Sequence, residues 1–333
     1  MGYLDHPVFI CGHRKSGTTM LINLLDGASE LVVYPDDSGF FYLYYPRYDG
    51  PDHTDQEKLE RMATVLVEQN LATIINDTSC DARTKEMLLA KIPAFREGML
   101  SCPLKDITTR DMLQVFIEEF RKMYYPEHSA PRGWVEKTTS SEIYALDMAA
   151  LFPEAKFIHL IRDPRDNWAS LRSGWSARYQ RFNDELNRLK QSMIERGRLG
   201  MDMAMSNEQA LGKERYKVIR FEDLVVDSRP VMRELATFLG IGFSPSLLQT
   251  TVLGQTWEGN NFDGLKFNGP SSTNVGRWKQ RLEDPEEAML MEFHFRESME
   301  TFGYEPAFSV ADTVRAAAKH YKWFNFATRF SAK

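Results

Sequence analysis

Only three cysteines, Cys11, Cys80 and Cys102, occur among 333 residues. Their number is odd and no CxxC or Cys/His spacing accompanies them, so neither a disulfide framework nor a zinc site is indicated, and a reducing, cytoplasmic compartment is expected. An apolar run near the ~20 residues of a membrane-crossing helix is absent, and no signal peptide is expected. Excess positive charge is missing too, because 41 Lys and Arg stand against 47 Asp and Glu, a net charge of −6. That balance argues against a nucleic-acid binder working through a general basic surface, so any anionic ligand must be met by a local cluster. Apolar residues are plentiful at 43%, enough for a large core. Length alone admits two domains, but α/β chains of this size are often one.

Near the N-terminus, Val8-Phe-Ile10 reads as a buried strand, Gly12 to Gly17 as a tight turn, and Thr18 to Asp26 as a helix from the spacing of Met20, Leu21, Leu24 and Leu25. Strand, glycine loop and helix together aim backbone N–H groups and the positive helix end at one spot, which suits a phosphate. A further absence matters here. A nucleoside-triphosphate loop reads G-x-x-x-x-G-K-[ST]; Gly12 and Gly17 keep that spacing, but Thr18 stands at the lysine position and the only lysine is Lys15, inside the loop. A donor with one 5′-phosphate needs the hydroxyl there more than a lysine aimed farther out, and Lys15 then faces the group being transferred.

The run His13-Arg14-Lys15-Ser16-Gly17-Thr18-Thr19 resembles the 5′-phosphosulfate loop of sulfotransferases that use 3′-phosphoadenosine 5′-phosphosulfate (PAPS). The resemblance makes Arg14, Lys15, Ser16, Gly17, Thr18 and Thr19 donor-binding residues. A second strand, Leu31 to Tyr34, ends in Pro35-Asp36-Asp37-Ser38-Gly39, and strand ends are where α/β enzymes place chemistry. From Lys15 to Asp36 the pattern is similar to that of tyrosylprotein sulfotransferases, whose catalytic glutamate falls on Asp36. Asp36 or Asp37 is then the general base, with Glu30 and Glu136 as substitutes; a solvated turn is the plainer account.

The aromatic run Phe40 to Tyr48 lines an acceptor pocket or belongs to the core. Residues 56–125 read as mainly helical, with Leu59, Met62, Ala63, Leu66 and Val67 on one face and breaks at 77–81 and 92–105. The stretch of about 45–130 is expected to be an insertion on the acceptor side that supplies acceptor specificity. A third strand from Gly133 runs into Glu136-Lys137-Thr138-Thr139. This is similar to the Glu-Lys-Ser/Thr-Pro segment of sulfotransferases, which places Lys137 beside the sulfuryl group, although Thr139 replaces the proline.

Phe157 to Ile161 reads as a buried parallel strand running into Arg162, and Pro164 opens a helix. Arg162 and Ser170, two helical turns apart, can converge on one anion. The segment resembles the 3′-phosphate motif of PAPS enzymes. Asp163 has a rival reading as a magnesium ligand, His159 reads as a core histidine, and Arg165 and Asp166 read as capping and decorating the helix.

Arg178 to Ser206 reads as a charged helix with a solvated face. A fourth strand, Tyr216 to Arg220, is followed by Phe221, read as core, and by a helix from Pro230 that stops at Gly240. A Gly- and Asn-rich loop, Gly254 to Ser272, leads into Thr273-Asn-Val-Gly-Arg-Trp-Lys-Gln-Arg281. That run resembles the late sulfotransferase segment that closes on the 3′-phosphate, with Arg277 the foremost contact, Gly276 giving backbone access, and Lys279 nearby. Asp284, Pro285 and Glu287 start the next helix. The tail, about 310–333, is expected to pack on the body.

Together the segments imply a three-layer, P-loop-like α/β fold with a mostly parallel sheet flanked by helices. They also imply transfer of a sulfuryl group from PAPS to a carbohydrate, peptide, lipid or small-molecule hydroxyl, releasing 3′,5′-adenosine bisphosphate (PAP) and using no metal. The alternatives are a P-loop kinase using ATP and magnesium, and a nucleotide-binding module without catalysis. No nucleic acid and no integral membrane segment is expected.

Overall fold

The computed structural model describes residues 2–78, 80–103, 105–174, 186–259, 265–267 and 269–330, with 322–330 described by backbone alone. Its main sheet has five parallel strands, β1 (Pro7–Cys11), β2 (Leu31–Val33), β3 (Gly133–Lys137), β4 (Lys156–Ile161) and β5 (Tyr216–Arg220), in the order β2-β3-β1-β4-β5. β1 lies between β3 and β4, with Ile10 opposite Lys137 on one side and Ile158 on the other. The C-terminal ends of β1, β3 and β4 therefore emerge together, carrying Gly12, Thr138 and Arg162. In open α/β sheets the crevice outside such ends, where the strand order reverses, is where ligands bind.

Successive side chains of a strand point to opposite faces, and here both faces are covered, which is why β1 and β2 read as unbroken apolar runs. Among the helices are α1 (Thr18–Leu25), α2 (Pro164–Ser173), α3 (Ser228–Leu239), α4 (Pro285–Thr301) and α5 (Val310–Phe330). On one face Val8, Ile10, Val135 and Leu160 pack under Leu21, Ile22 and Leu25 of α1 and under Met232 and Leu235 of α3. On the other, Phe9, Tyr34, Trp134 and Phe157 meet Met62, Leu66, Phe95, Phe116 and Phe120. Phe9 stacks on Phe157 with ring centroids 5.5 Å apart and meets Trp134 edge-on at 5.6 Å. Each such ring contributes roughly 1.5–3 kcal/mol by burial.

The segment of about 45–130 thus provides the helical layer on the Phe9 face of the sheet. The expected break at 92–105 is overturned over Ile92–Leu100, which is helical. Pro93 sits in the first turn, where a missing N–H is tolerated, and Phe95 and Met99 are fully buried. The break at 77–81 is present, one helix ending at Asp77 and the next being capped by Asp81.

A third cluster joins Trp168 and Leu171 of α2 to Met193, Met201, Trp278, Met291, Phe295 and Ala317. α5 lies along α4 through its described side chains, Lys319 pairing with Glu286 at 2.8 Å and Tyr321 meeting His294 at 3.0 Å. Residues 178–185 of the expected charged helix fall outside the described residues. Beyond them, Met193, Ile194 and Met201 are buried, so this region has an apolar face as well as a solvated one. Among the described residues, no helix is long and apolar enough to cross a membrane.

Candidate active site

A cavity of about 570 Å³ opens at the C-terminal ends of β1, β3 and β4, and the loop after β1 forms its floor. The loop needs its glycines. Gly12 has φ +133° and a Cβ there would lie 2.3 Å from the Leu160 carbonyl oxygen; Gly17 has φ +105° and a Cβ there would meet the Phe221 ring at 2.5 Å. Lys15 also has positive φ, at 67°. Between them, the Ser16 hydroxyl donates to the His13 carbonyl at 2.6 Å and braces the turn. Loop carbonyls are drawn outward, Lys15 O accepting from Arg162 at 2.9 Å and Arg14 O from Asn167 at 3.2 Å. Thr18, Thr19 and Met20, in the first turn of α1, line the cavity. Helix geometry leaves their N–H groups without partners inside the helix.

Opposite the loop lies the acidic turn. Lys137, 3% exposed, donates to Asp36 Oδ1 at 3.0 Å and to Thr19 Oγ1 at 3.1 Å, and Thr19 Oγ1 donates to the same Asp36 oxygen at 3.1 Å. Burial alone would favour loss of the lysine's proton, but Asp36 and then Asp37 beside it hold its pKa above the ordinary lysine value. Asp36 occupies the left-handed region, φ +50°, a conformation that aspartate tolerates better than most residues.

Asp37 is differently employed. Its Oδ2 accepts the Thr139 N–H at 3.1 Å and hydroxyl at 2.7 Å, and its Oδ1 accepts the Gly39 N–H at 3.1 Å. Thr139, which stands where the resembled motif has proline, supplies an N–H that proline lacks. Both oxygens of Asp37 therefore stabilise its own turn, with Lys137 3.7 Å from Oδ2, while Asp36 is hydrogen-bonded to both Thr19 and Lys137.

Arg162 and Ser170 line the same cavity. The Arg162 guanidinium lies 4.4 Å from the Phe221 ring centre and spans the mouth, reaching Lys15 O and the Asn274 carbonyl, each at 2.9 Å. Trp257, Phe267, Asn274 and Arg281 form the far wall.

This arrangement, a phosphate-type loop without a P-loop lysine, with Lys137 beside Asp36 and Lys15 lining the same cavity, has a match. Residues 7–245 fit the model of the Sulfotransferase family. The chain belongs to the sulfotransferase family. No curated protein matches it in sequence. In structure the sulfotransferase is similar to the sulfotransferase domain of the Synechococcus PCC 7002 olefin synthase, at 18% identity and TM-score 0.56 over 90% of this chain and 95% of that one. It is likewise similar to the sulfotransferase domain from the curacin biosynthetic pathway, at 20% identity and TM-score 0.57 over 90% of this chain and 97% of that one. Both likenesses are of fold.

Of the residues expected in the sulfotransferase's site, Arg14, Lys15, Gly17, Thr18, Thr19, Asp36, Lys137, Arg162 and Ser170 line one cavity. Ser16 is buried beneath the turn. Gly276 and Arg277 are not among the lining residues. The Gly276 N–H is taken by Asp166 at 2.6 Å, and Arg277 donates to the Asn274 side chain at 3.0 Å. Arg281, one turn further on, is the cation of that segment that reaches the cavity. Lys279 lies beside the Trp278 ring, 5.7 Å from its centre.

The substitute acids are elsewhere. Glu30 pairs with Arg132 at 2.9 Å, and Glu136 is fully buried behind the turn, where it accepts hydroxyls of Ser38 and Thr138 and burial lifts its pKa to about 7. His159 is a core histidine, as expected, bonded to Tyr216 at 2.7 Å. Arg165 and Asp166 do more than decorate a helix, for both are buried and bonded across the fold.

The aromatic run divides by position, Phe40, Phe41 and Tyr44 entering the core while Tyr42 is exposed and lines the cavity. Sequence reading missed Arg196, Trp257 and Arg281 as lining residues. Arg281 had a signal in its basic cluster, whereas Arg196 sits in a run whose charge resembles ordinary surface. None of the described lining residues comes from 45–130, and that segment meets the acidic turn through Asn70, whose amide donates to the carbonyls of Asp37 and Ser38 at 2.8 and 2.9 Å.

Proposed function

We propose that this sulfotransferase, read as one catalytic domain, takes a sulfuryl group from PAPS and delivers it to an acceptor hydroxyl by in-line displacement. The observation that carries the reading is the triangle of Lys137 Nζ, Thr19 Oγ1 and Asp36 Oδ1, with sides of 3.0–3.1 Å, at the mouth of the loop. An acid, a hydroxyl and an ammonium there meet the three places where charge changes in such a transfer.

In this reading Thr18, Thr19 and the loop N–H groups hold the 5′-phosphate. Arg162, Ser170 and Arg281 meet the 3′-phosphate, and Trp257 and Phe267 offer apolar faces to the adenine. The acceptor oxygen forms a bond to sulfur as the bond from sulfur to the bridging phosphate oxygen breaks, so PAP leaves. Asp36 takes the hydroxyl proton, while Lys15 and Lys137 neutralise charge on the bridging and sulfuryl oxygens. Asp37, held by Thr139 and Gly39, shapes the turn. The acceptor enters beside Tyr42. The three unpaired cysteines agree with a reducing, cytoplasmic setting.

A magnesium–ATP kinase would need Asp163 aimed at the nucleotide. Instead both of its carboxylate oxygens bind the Arg165 guanidinium, at 2.6–3.2 Å, and one also accepts the Arg165 N–H. Calorimetry separates the readings: PAP is expected to bind far more tightly than ADP with magnesium, and the reverse preference would overturn the donor assignment. Turnover of PAPS against phenols, sugars, lipid alcohols and tyrosyl peptides then identifies the acceptor.

A further inference from the structure

Asp166 lies in the first turn of α2, 2% exposed, four residues after Arg162 and four before Ser170. Its carboxylate reaches across the fold. Oδ2 accepts the Gly276 N–H at 2.6 Å and Oδ1 accepts the Trp278 N–H at 2.8 Å. A buried carboxylate is costly unless hydrogen bonds and opposite charge compensate it; burial raises the Asp166 pKa above the ordinary aspartate value, and the Arg162 charge and the Trp278 and Gly276 N–H groups oppose that rise. Arg165, the preceding residue, supports the same segment from below, its guanidinium 4.7 Å from the centre of the Trp278 ring and itself paired with Asp163 at 2.6 Å and Glu292 at 2.5 Å.

The segment so held carries one wall of the cavity. Two residues before Gly276, the Asn274 carbonyl accepts from Arg162 at 2.9 Å; three after Trp278, Arg281 lines the cavity. With only one short 3₁₀ turn and one helical turn of its own, Ser272–Asn274 and Trp278–Arg281, the segment depends on outside contacts for its position.

We propose that Asp166 is a positioning residue for the donor's 3′-phosphate: it fastens the 274–281 wall to α2 so that Arg162, Ser170 and Arg281 converge on one anion. The role rests on the PAPS reading of the site. Asp166 touches no donor atom itself; both of its oxygens are used by Gly276 and Trp278. The same carboxylate thus lets two stretches of chain more than a hundred residues apart, |i−j| 110 and 112, act as one phosphate site.

The test compares PAP with adenosine 5′-monophosphate, which keeps the 5′-phosphate and lacks the 3′. In the wild type PAP is expected to bind much more tightly. Asp166→Ala is expected to weaken PAP about 10- to 100-fold, the scale on which supporting residues act on a bound ion, while the monophosphate changes less than about twofold. KM for PAPS rises, kcat at saturating PAPS stays near wild type, and Asp166→Glu recovers part of the lost PAP affinity.

A variant that weakens both nucleotides equally, or leaves PAP affinity unchanged, overturns the role. Should Asp166→Ala not fold, Asp166→Asn keeps one acceptor oxygen and is read by the same ratio. A wild type that binds both nucleotides alike overturns the donor reading itself, whereas a discriminating wild type with an equally discriminating variant overturns only the role of Asp166.

Discussion

The cavity's floor and its far wall are made in different ways. The floor, Gly12 to Thr19, takes its turn from its own residues, two glycines at φ +133° and +105°, a hydroxyl folded onto the backbone three residues away and a helix that begins where the turn ends, and bonds from Glu142, Arg162 and Asn167 then secure it. The far wall, Ser272 to Arg281, has little regular structure and is held by Arg162, Arg165 and Asp166 from the other side of the mouth. A locally shaped element brings its turn with it and needs tertiary bonds only to secure it. A docked one has chemistry only while its partners hold it.

The comparison is broken most severely at the floor. Asp36→Asn, bonded to Thr19 of the floor, is expected to lower kcat about 100- to 10,000-fold with the fold intact by circular dichroism; retained turnover would move the base elsewhere. Lys15→Ala is expected to cost roughly 100- to 1,000-fold in kcat and to leave PAP affinity within a few-fold, measured by calorimetry against single-turnover rates. Loss of affinity without loss of rate would make Lys15 a binding residue only.

At the wall the effects are smaller and residue-specific. Arg281→Ala should weaken PAP about 10-fold and Arg277→Ala less than about twofold, since one faces the cavity and the other bonds Asn274. The opposite ranking would mean that the wall rearranges when the donor binds.

The smallest effect concerns how the floor is anchored. Glu142 accepts the Gly12 N–H at 3.1 Å, and burial lifts its pKa from 4.5 to about 7. The native state therefore holds this proton more tightly than the unfolded chain, so stability is greatest below pH 4.5 as far as this group is concerned and falls as pH rises from about 4.5 to about 7. Glu142→Gln, which keeps an acceptor oxygen and cannot ionise, should make that part of the Tm–pH profile shallower and leave the share of Glu136, whose pKa burial also lifts to about 7; an unchanged slope would show that Glu142 does not titrate there.

Legibility followed the same division. The loop, the acidic turn and the Lys137 strand end were readable because a glycine, a proline or a strand terminus has conformational consequences within a few residues. Arg162 and Ser170 were readable because helical spacing relates them. Arg277 was favoured over Arg281 because spacing alone does not tell which of several neighbouring cations faces inward when the segment's orientation is set by Asp166. The helices of 45–130 showed their apolar faces, but not that those faces would meet Phe9 and Trp134 across the sheet rather than line the cavity.

By itself the amino-acid sequence determined the α/β class, the phosphate-type turn, the strand ends where chemistry gathers and the sulfotransferase pattern, because each depends on residues near one another along the chain. Only the tertiary structure decided which of two adjacent acids faces the lysine, which late arginine reaches the cavity, and that Asp166 is a brace. Those outcomes depend on hydrogen bonds between residues up to 112 positions apart, whose partners are chosen by packing and not by spacing.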